Sequence, residues 1–246
     1  MELIHILPRK NLSRDLVQNY ELYLTDEVLK HPMDYCLCTR GTPSYKILDN
    51  SLNELGVSVK LAEMDRAAGV IWPDEFVIPD DVDPAKSRAL MERTLECIES
   101  YPHLRELRKM AVVHANSFNE YISEMLRLGR DPRVDVVGIP KTVARAMSTD
   151  KDSLNGRVVL LACAKGLGFG KTVHFLGWAG FREFEYYEHF VSSNVRSMDS
   201  RLMLESKDLW LREDLLSHVD LENGEIADVV SKIRRVRRRA YTYGLR

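Results

Sequence analysis

Four short apolar stretches of this sequence each end on a residue that can carry a proton or a charge. Asp49 closes YKILD (45–49), Asp80 closes EFVIPD (75–80), His114 closes MAVVH (110–114) and Asp199 closes VRSMD (195–199). A carboxyl group can attack as a nucleophile, pass a proton, or accept two adjacent hydrogen-bond donors. Gly138 in VVGIP and Gly177 in HFLG fall in similar stretches, where a bare backbone can approach a ligand closely. One acid after a strand commonly caps the next helix. Three acids with a His and two glycines are harder to assign to capping, and they point to a site.

Two other motifs carry no chemistry. GLGFGKT (166–172) has Lys165 where a phosphate-binding loop needs its first Gly, and it runs into apolar VHFLG instead of opening a helix. Cys36 and Cys38 lie two apart in DYCLC (34–38), read as a strand that puts both thiols on one face as a buried apolar pair. No second Cys/His pair follows at ligand spacing, so no metal site is expected. With Cys97 and Cys163 the cysteines are few and irregular, which points to a reducing compartment.

The elements that must position these residues follow from hydrophobic patterning. Strands are predicted at 2–7, 34–38, 45–49, 75–79, 110–114, 134–139, 172–177 and 195–199. Helices are predicted over 83–100, opened by Asp83-Pro84, over 119–128 with Gly129 just past its end, and over 153–165. RVVLLA within the third could instead be a strand. Strands alternating with helices over this length predict an α/β protein, a compact (β/α)8 TIM barrel spanning residues 1–205. Pattern alone leaves an open doubly wound sheet as an alternative. A C-terminal helical extension (206–246) is predicted to pack on the barrel.

Composition bounds the partners. Across 246 residues, 45% are hydrophobic and 29% charged, a globular mix with a formal charge of −2. That excludes a disordered tail, a disulfide-dense scaffold and a globally basic binder, though not a local basic patch. No apolar run approaches membrane-span length and MELIHILPRK is no signal peptide, so the expected place is the cytoplasm. KIRRVRRR (232–239) holds six cations in eight residues and no acid, over an apolar stripe from Ile226 to Val236. Lys232, Arg234, Arg235, Arg237, Arg238 and Arg239 repel one another unless a polyanion follows them.

The strand ends also carry a family resemblance. LDNSLNELG (48–56) resembles the LDSGGFQ-type segment of tRNA-guanine transglycosylases, in the DN-containing form of their phage relatives that act on DNA. VIPDD (77–81) resembles the family's purine-binding acidic strand end, and VVHAN (112–116) falls where the family has VQGG. VVGIP (136–140) is similar to the strand that closes over the base, HFLGWAG (174–180) to the HYLMGVG type, and VRSMDS (195–200) to the strand that ends in the nucleophilic Asp. The matches occur in family order. The family's zinc-binding Cys cluster is missing, and Leu202-Met203-Leu204 replaces its PTR; both belong to the tRNA-modifying members.

The resemblance implies exchange of guanine in DNA for a free 7-deazaguanine base, by double displacement and without cofactor or metal. It implies Asp199 as nucleophile and Asp49 as general acid/base. Asp80 would hold the purine N1–H and 2-amino group, with His114 or Asn116 at the 6-oxo group. Gly138, Ile139, Leu176 and Gly177 would line the base. A phage origin would place the chain in a host cytoplasm. Two alternatives remain open: the same chemistry on tRNA, and a non-catalytic nucleic-acid-binding subunit.

Overall fold

The computed structural model describes residues 2–6, 20–141, 143, 156–177 and 194–200. Its strands are β1 (Glu2–Ile6), β2 (Tyr20–Leu24), β3 (Tyr45–Asp49), β4 (Glu75–Val77), β5 (Arg108–Val112), β6 (Val136–Pro140), β7 (Thr172–Leu176) and β8 (Val195–Ser200). All run parallel and pair in chain order, each with the next. β8 also pairs with β1, from Glu2 opposite Ser197 to His5 opposite Ser200, which returns the strand order to its start. The fold is α/β, built on a curled, all-parallel sheet.

Helices α1 (Thr25–Lys30) and α2 (Pro32–Thr39) link β2 to β3, and α3 (Leu52–Leu55) and α4 (Leu61–Ile71) link β3 to β4. α5 (Pro84–Cys97), α6 (Phe118–Arg130) and α7 (Gly156–Gly166) follow β4, β5 and β6. The alternation of strand and helix is therefore described from β2 to β7. The connections β1–β2 and β7–β8 are largely outside the described residues, as are the extension 206–246 and the whole basic stretch 232–239. Among the described residues no helix is long and apolar enough to cross a membrane.

Side-chain alternation sorts each strand into two faces. Leu22, Leu24, Ile47, Val77, Met110 and Val136 form one buried cluster inside the curl of the sheet, with Ile6, Tyr20, Tyr45, Val112 and Leu176 against it. Their sequence neighbours Tyr23, Leu48, Phe76, Ala111 and Val137 belong to a larger cluster that packs on the helices. Fully burying a side chain such as Ile47 or Phe76 stabilises the fold by about 1.5–3 kcal/mol. The same parity turns Asp49, Gly138, His174 and Leu176 inward and Ile139 outward.

The inner face closes at its N-terminal end on charge. Arg196 donates to both carboxylate oxygens of Glu75, at 2.6 and 2.9 Å, while the Tyr45 hydroxyl donates to Glu75 Oε2 at 2.7 Å. The guanidinium of Arg196 lies 5.3 Å from the centre of the Tyr45 ring. Two parallel bonds and a stacked ring satisfy this buried pair, as burial of charge demands.

Three expectations are corrected. Residues 34–38 are not a strand: His31-Pro32 opens α2, with Pro at its first turn, Asp34 near the positive end of the helix, and Tyr35 and Thr39 buried one turn apart. Cys36 and Cys38 then project about 200° apart around the helix, and both are half-exposed instead of forming a buried pair. The strand that precedes β3 is β2, whose YELYL carries Glu21 and so breaks the apolar run that patterning relies on. Of the predicted helix 153–165, the described part from 156 onward is helical, with α7 burying Val158, Leu160, Leu161 and Ala164.

Candidate active site at the C-terminal strand ends

At the end of β3 the chain turns sharply. Asp49 Oδ1 accepts the Ser51 N–H at 2.7 Å, and Ser51 adopts a left-handed φ of 60°, uncommon for a residue with a side chain. The end of β2 pins this turn. Thr25 Oγ1 donates to the Asp49 carbonyl at 2.6 Å, and the Asp26 N–H donates to Ser51 Oγ at 3.2 Å. Strain of this kind costs on the order of 1–3 kcal/mol and persists where surrounding bonds enforce it.

Asp80 leaves β4 and turns toward β3 and β5. Asn50 Nδ2 donates to its Oδ1 at 2.7 Å, and His114 Nε2 lies 2.6 Å from its Oδ2. Ser58 Oγ accepts the Asp80 N–H at 3.0 Å and donates to the Asp80 carbonyl at 2.6 Å. Asp80 is thus no open carboxylate: both oxygens already have partners. Beside this pair a cleft is lined by Pro84, Ser87, Arg88, Met91 and Glu124. Arg88 is committed there to Glu124 at 2.5 Å, which leaves little charge for an anion.

Asp199 stands at the end of β8, 4% exposed. Its Oδ1 accepts from His174 Nε2 at 2.9 Å and from the Gly177 N–H at 3.0 Å. No donor among the described residues reaches its Oδ2. One carboxylate oxygen is clamped, and the described residues place no donor on the other.

Charge links the three acids. The Asp49 carboxyl is held well above the usual carboxylate range, first by burial, then by the neighbouring Glu54 carboxylate, and further by Asp199 and Asp80; the Ser51 N–H opposes this. Asp49 therefore lies close enough to both other acids to feel their charge, and it holds its proton at pH values where an exposed Asp would have lost it. A carboxyl that holds its proton and a nearby carboxylate can divide the roles of general acid and nucleophile.

Several expected site residues have other roles. Ile139 is fully buried in the cluster under the helices, so its side chain cannot line a base pocket. A Cβ on Gly138 would meet Leu176 Cδ1 at 3.1 Å and Met110 Sδ at 3.3 Å, so interior packing, not a ligand, occupies the space its missing side chain leaves. Asn116 is exposed, and its N–H donates to Glu120 Oε2 at the start of α6, outside the cluster. Gly177 matters through its backbone, which holds Asp199. Leu176 lies half-buried on the inner face. The six cations of 232–239 fall outside the described residues.

Asn50, Ser58 and His174 were not singled out from sequence. Asn50 lies in LDN (48–50) and His174 opens HFLGWAG (174–180), but the role of each depends on which strand lies beside its own. Buried Arg157 was also missed; from α7 it donates to the carbonyls of Ile139 and Leu176 at 3.3 and 3.1 Å, tying the ends of β6 and β7 together.

Gly177 allows a direct check. Its φ is +73°, and an added Cβ would meet Lys141 Cδ at 3.0 Å. The lysine tip can move aside, whereas the backbone angle cannot relax without shifting the Asp199 clamp. Gly177→Ala is expected to cost about 1–2 kcal/mol. Urea denaturation should show a lower midpoint at unchanged slope; an unchanged midpoint would mean that the left-handed conformation is not required.

No family model matches the chain, and no curated protein does. A solved structure described as "Structural study of Project ID from Aquifex aeolicus VF5" matches over 96% of this chain and 92% of its own, with a TM-score of 0.54 at 11% identity. At that identity the likeness shows the α/β fold alone.

Proposed function

We propose that this chain is a transglycosylase that exchanges guanine in DNA for a free 7-deazaguanine base, on a complete (β/α)8 barrel. The proposal rests on Asp49 and Asp199 at the C-terminal ends of β3 and β8, with the Asp199 Oδ1 held by His174 and Gly177 and the Asp49 carboxyl pushed well above the usual carboxylate range by burial and the neighbouring acids. Acids at the C-terminal ends of parallel strands are where such barrels place catalysis.

In the first step Asp199 Oδ2 bonds to the sugar C1′ as the bond from C1′ to the guanine ring nitrogen breaks. The electron pair stays on the base, and the Asp49 proton neutralises it. In the second step the incoming base loses its ring proton to the Asp49 carboxylate, and its nitrogen displaces Asp199 from C1′. Two inversions retain configuration at the anomeric carbon, as in retaining glycosidases. Protons balance: Asp49 gives one and takes one.

Asp80 holds the purine. Its N1–H and 2-amino group are adjacent donors that one carboxylate can bridge. The purine edge takes the place of His114 at Oδ2, and the freed imidazole turns its N–H to the 6-oxo group. Asn50 keeps Oδ1 in place during the exchange. The target nucleotide must leave its stack to reach this pocket.

DNA is favoured as substrate by the DN-containing segment at 49–50 and by the absence of the Cys cluster of tRNA-modifying enzymes. The cations at 232–239 supply sequence-independent phosphate contacts. The test is nucleoside mass spectrometry of DNA and tRNA from cells that express the chain and are supplied with 7-deazaguanines. Modified deoxynucleosides are expected; modified ribonucleosides alone would move the substrate to tRNA, and neither would reject base exchange.

A further inference from the structure

We infer that His174 is a positioning residue, the last link of a directional hydrogen-bond relay that orients Asp199 for attack. The inference rests on the base-exchange reading above and extends it to residues that never meet the substrate.

Direction can be assigned from the donor that has no choice. Arginine has no acceptor atom, so Arg196 Nε donates to Ser197 Oγ, at 3.1 Å. The Ser197 hydroxyl hydrogen then goes to His174 Nδ1, 2.9 Å away. With Nδ1 accepting, the ring proton sits on Nε2 and is donated to Asp199 Oδ1 at 2.9 Å. Placing a proton on Nδ1 as well would leave the Ser197 hydroxyl hydrogen with no acceptor among the described residues. Among the described residues, every hydrogen in the relay has a partner when His174 is the Nε2–H tautomer.

The backbone makes this relay reachable. β7 and β8 slip register between Val173 and His174: Val173 faces Val195, but His174 faces Ser197. The extra residue, Arg196, is a bulge that resets alternation. Arg196 and Ser197 therefore both serve the interior, the first at the Glu75 pair and the second at the imidazole. Glu75 fixes Arg196 with two bonds, so the relay is anchored at the N-terminal end of the sheet and delivered at the C-terminal end. His174 has no exposed surface, so it does not contact substrate.

Two fixed donors on Asp199 Oδ1, the imidazole N–H and the Gly177 N–H, stop the carboxylate from rotating and so fix where Oδ2 stands. Removing the imidazole leaves one donor, and the carboxylate swings. A misplaced reacting group costs on the order of 10²-fold.

The test compares three variants of the full chain in guanine exchange on a DNA oligonucleotide. His174→Phe fills the space without a donor, and kcat should fall roughly 10²-fold with KM for DNA within about twofold. His174→Gln returns an N–H near the Nε2 position and should recover at least about tenfold of that loss. Ser197→Ala removes the group that sets the tautomer and should give an intermediate loss; it also serves if His174→Phe does not fold. The imidazole ¹⁵N spectrum of the wild type should show a bare Nδ1 and a protonated Nε2. Wild-type kcat in His174→Phe, no recovery in His174→Gln, or the opposite tautomer would overturn the positioning role while leaving base exchange standing. An inactive wild type would instead remove base exchange, and the role of His174 in attack with it.

Discussion

Asp199→Asn is expected to lower guanine exchange by roughly 10³-fold or more while leaving the fold intact. The asymmetry of the carboxylate makes this a clean substitution. The amide oxygen can take the place of Oδ1 and still accept from His174 and Gly177. The amide nitrogen then stands where Oδ2 had no donor among the described residues, so no hydrogen bond among those residues is lost. What disappears is the oxygen able to form the ester to C1′. Melting temperature and DNA affinity should stay close to the wild type. Exchange at a near wild-type rate would remove Asp199 from the mechanism.

Asp49→Asn is expected to slow exchange by about 10²–10⁴-fold, the usual contribution of a general acid/base. It should also stabilise the protein at neutral pH, and the sign follows from linkage. The folded-state pKa of Asp49 is raised above its unfolded value by burial and by Glu54, Asp199 and Asp80. Its contribution to stability is full below the unfolded pKa, near 3.9, and is lost as pH rises through the folded one. Above that point a charged carboxylate sits in an acidic, desolvated place, and the neutral amide relieves it. Melting curves from pH 4 upward should show the variant gaining on the wild type as pH rises. A helix-capping role predicts the reverse, a variant that is less stable and nearly fully active; a loss under tenfold would select it.

The acids were legible in the sequence because each follows an apolar run whose length and composition mark a strand. β3, β6, β7 and β8 were readable in this way, and with them Asp49, Gly138, Gly177 and Asp199. β2 was not, since Glu21 interrupts its pattern while being fully buried in the fold. With β2 went Thr25 and Asp26, which hold the turn around Asp49. DYCLC has the composition of a strand, yet Pro32 and the pairing of Tyr35 with Thr39 on one helical face decide for α2. The relay to Asp199 was illegible for a different reason. It depends on a one-residue register slip between β7 and β8, and neither strand announces that slip alone. Partners across strands are a property of register, which alternation within one strand does not encode.

Base exchange by this route passes through a covalent ester between Asp199 and the sugar. The most direct measurement is intact-protein mass spectrometry after acid quench of the chain mixed with a guanine-containing DNA oligonucleotide, followed by peptide mapping. Protein heavier by the oligonucleotide less one guanine is expected, with the adduct on the peptide that carries Asp199 and none in Asp199→Asn. Base exchange that proceeds with no adduct at any time after mixing, or an adduct that maps to another residue, would contradict it.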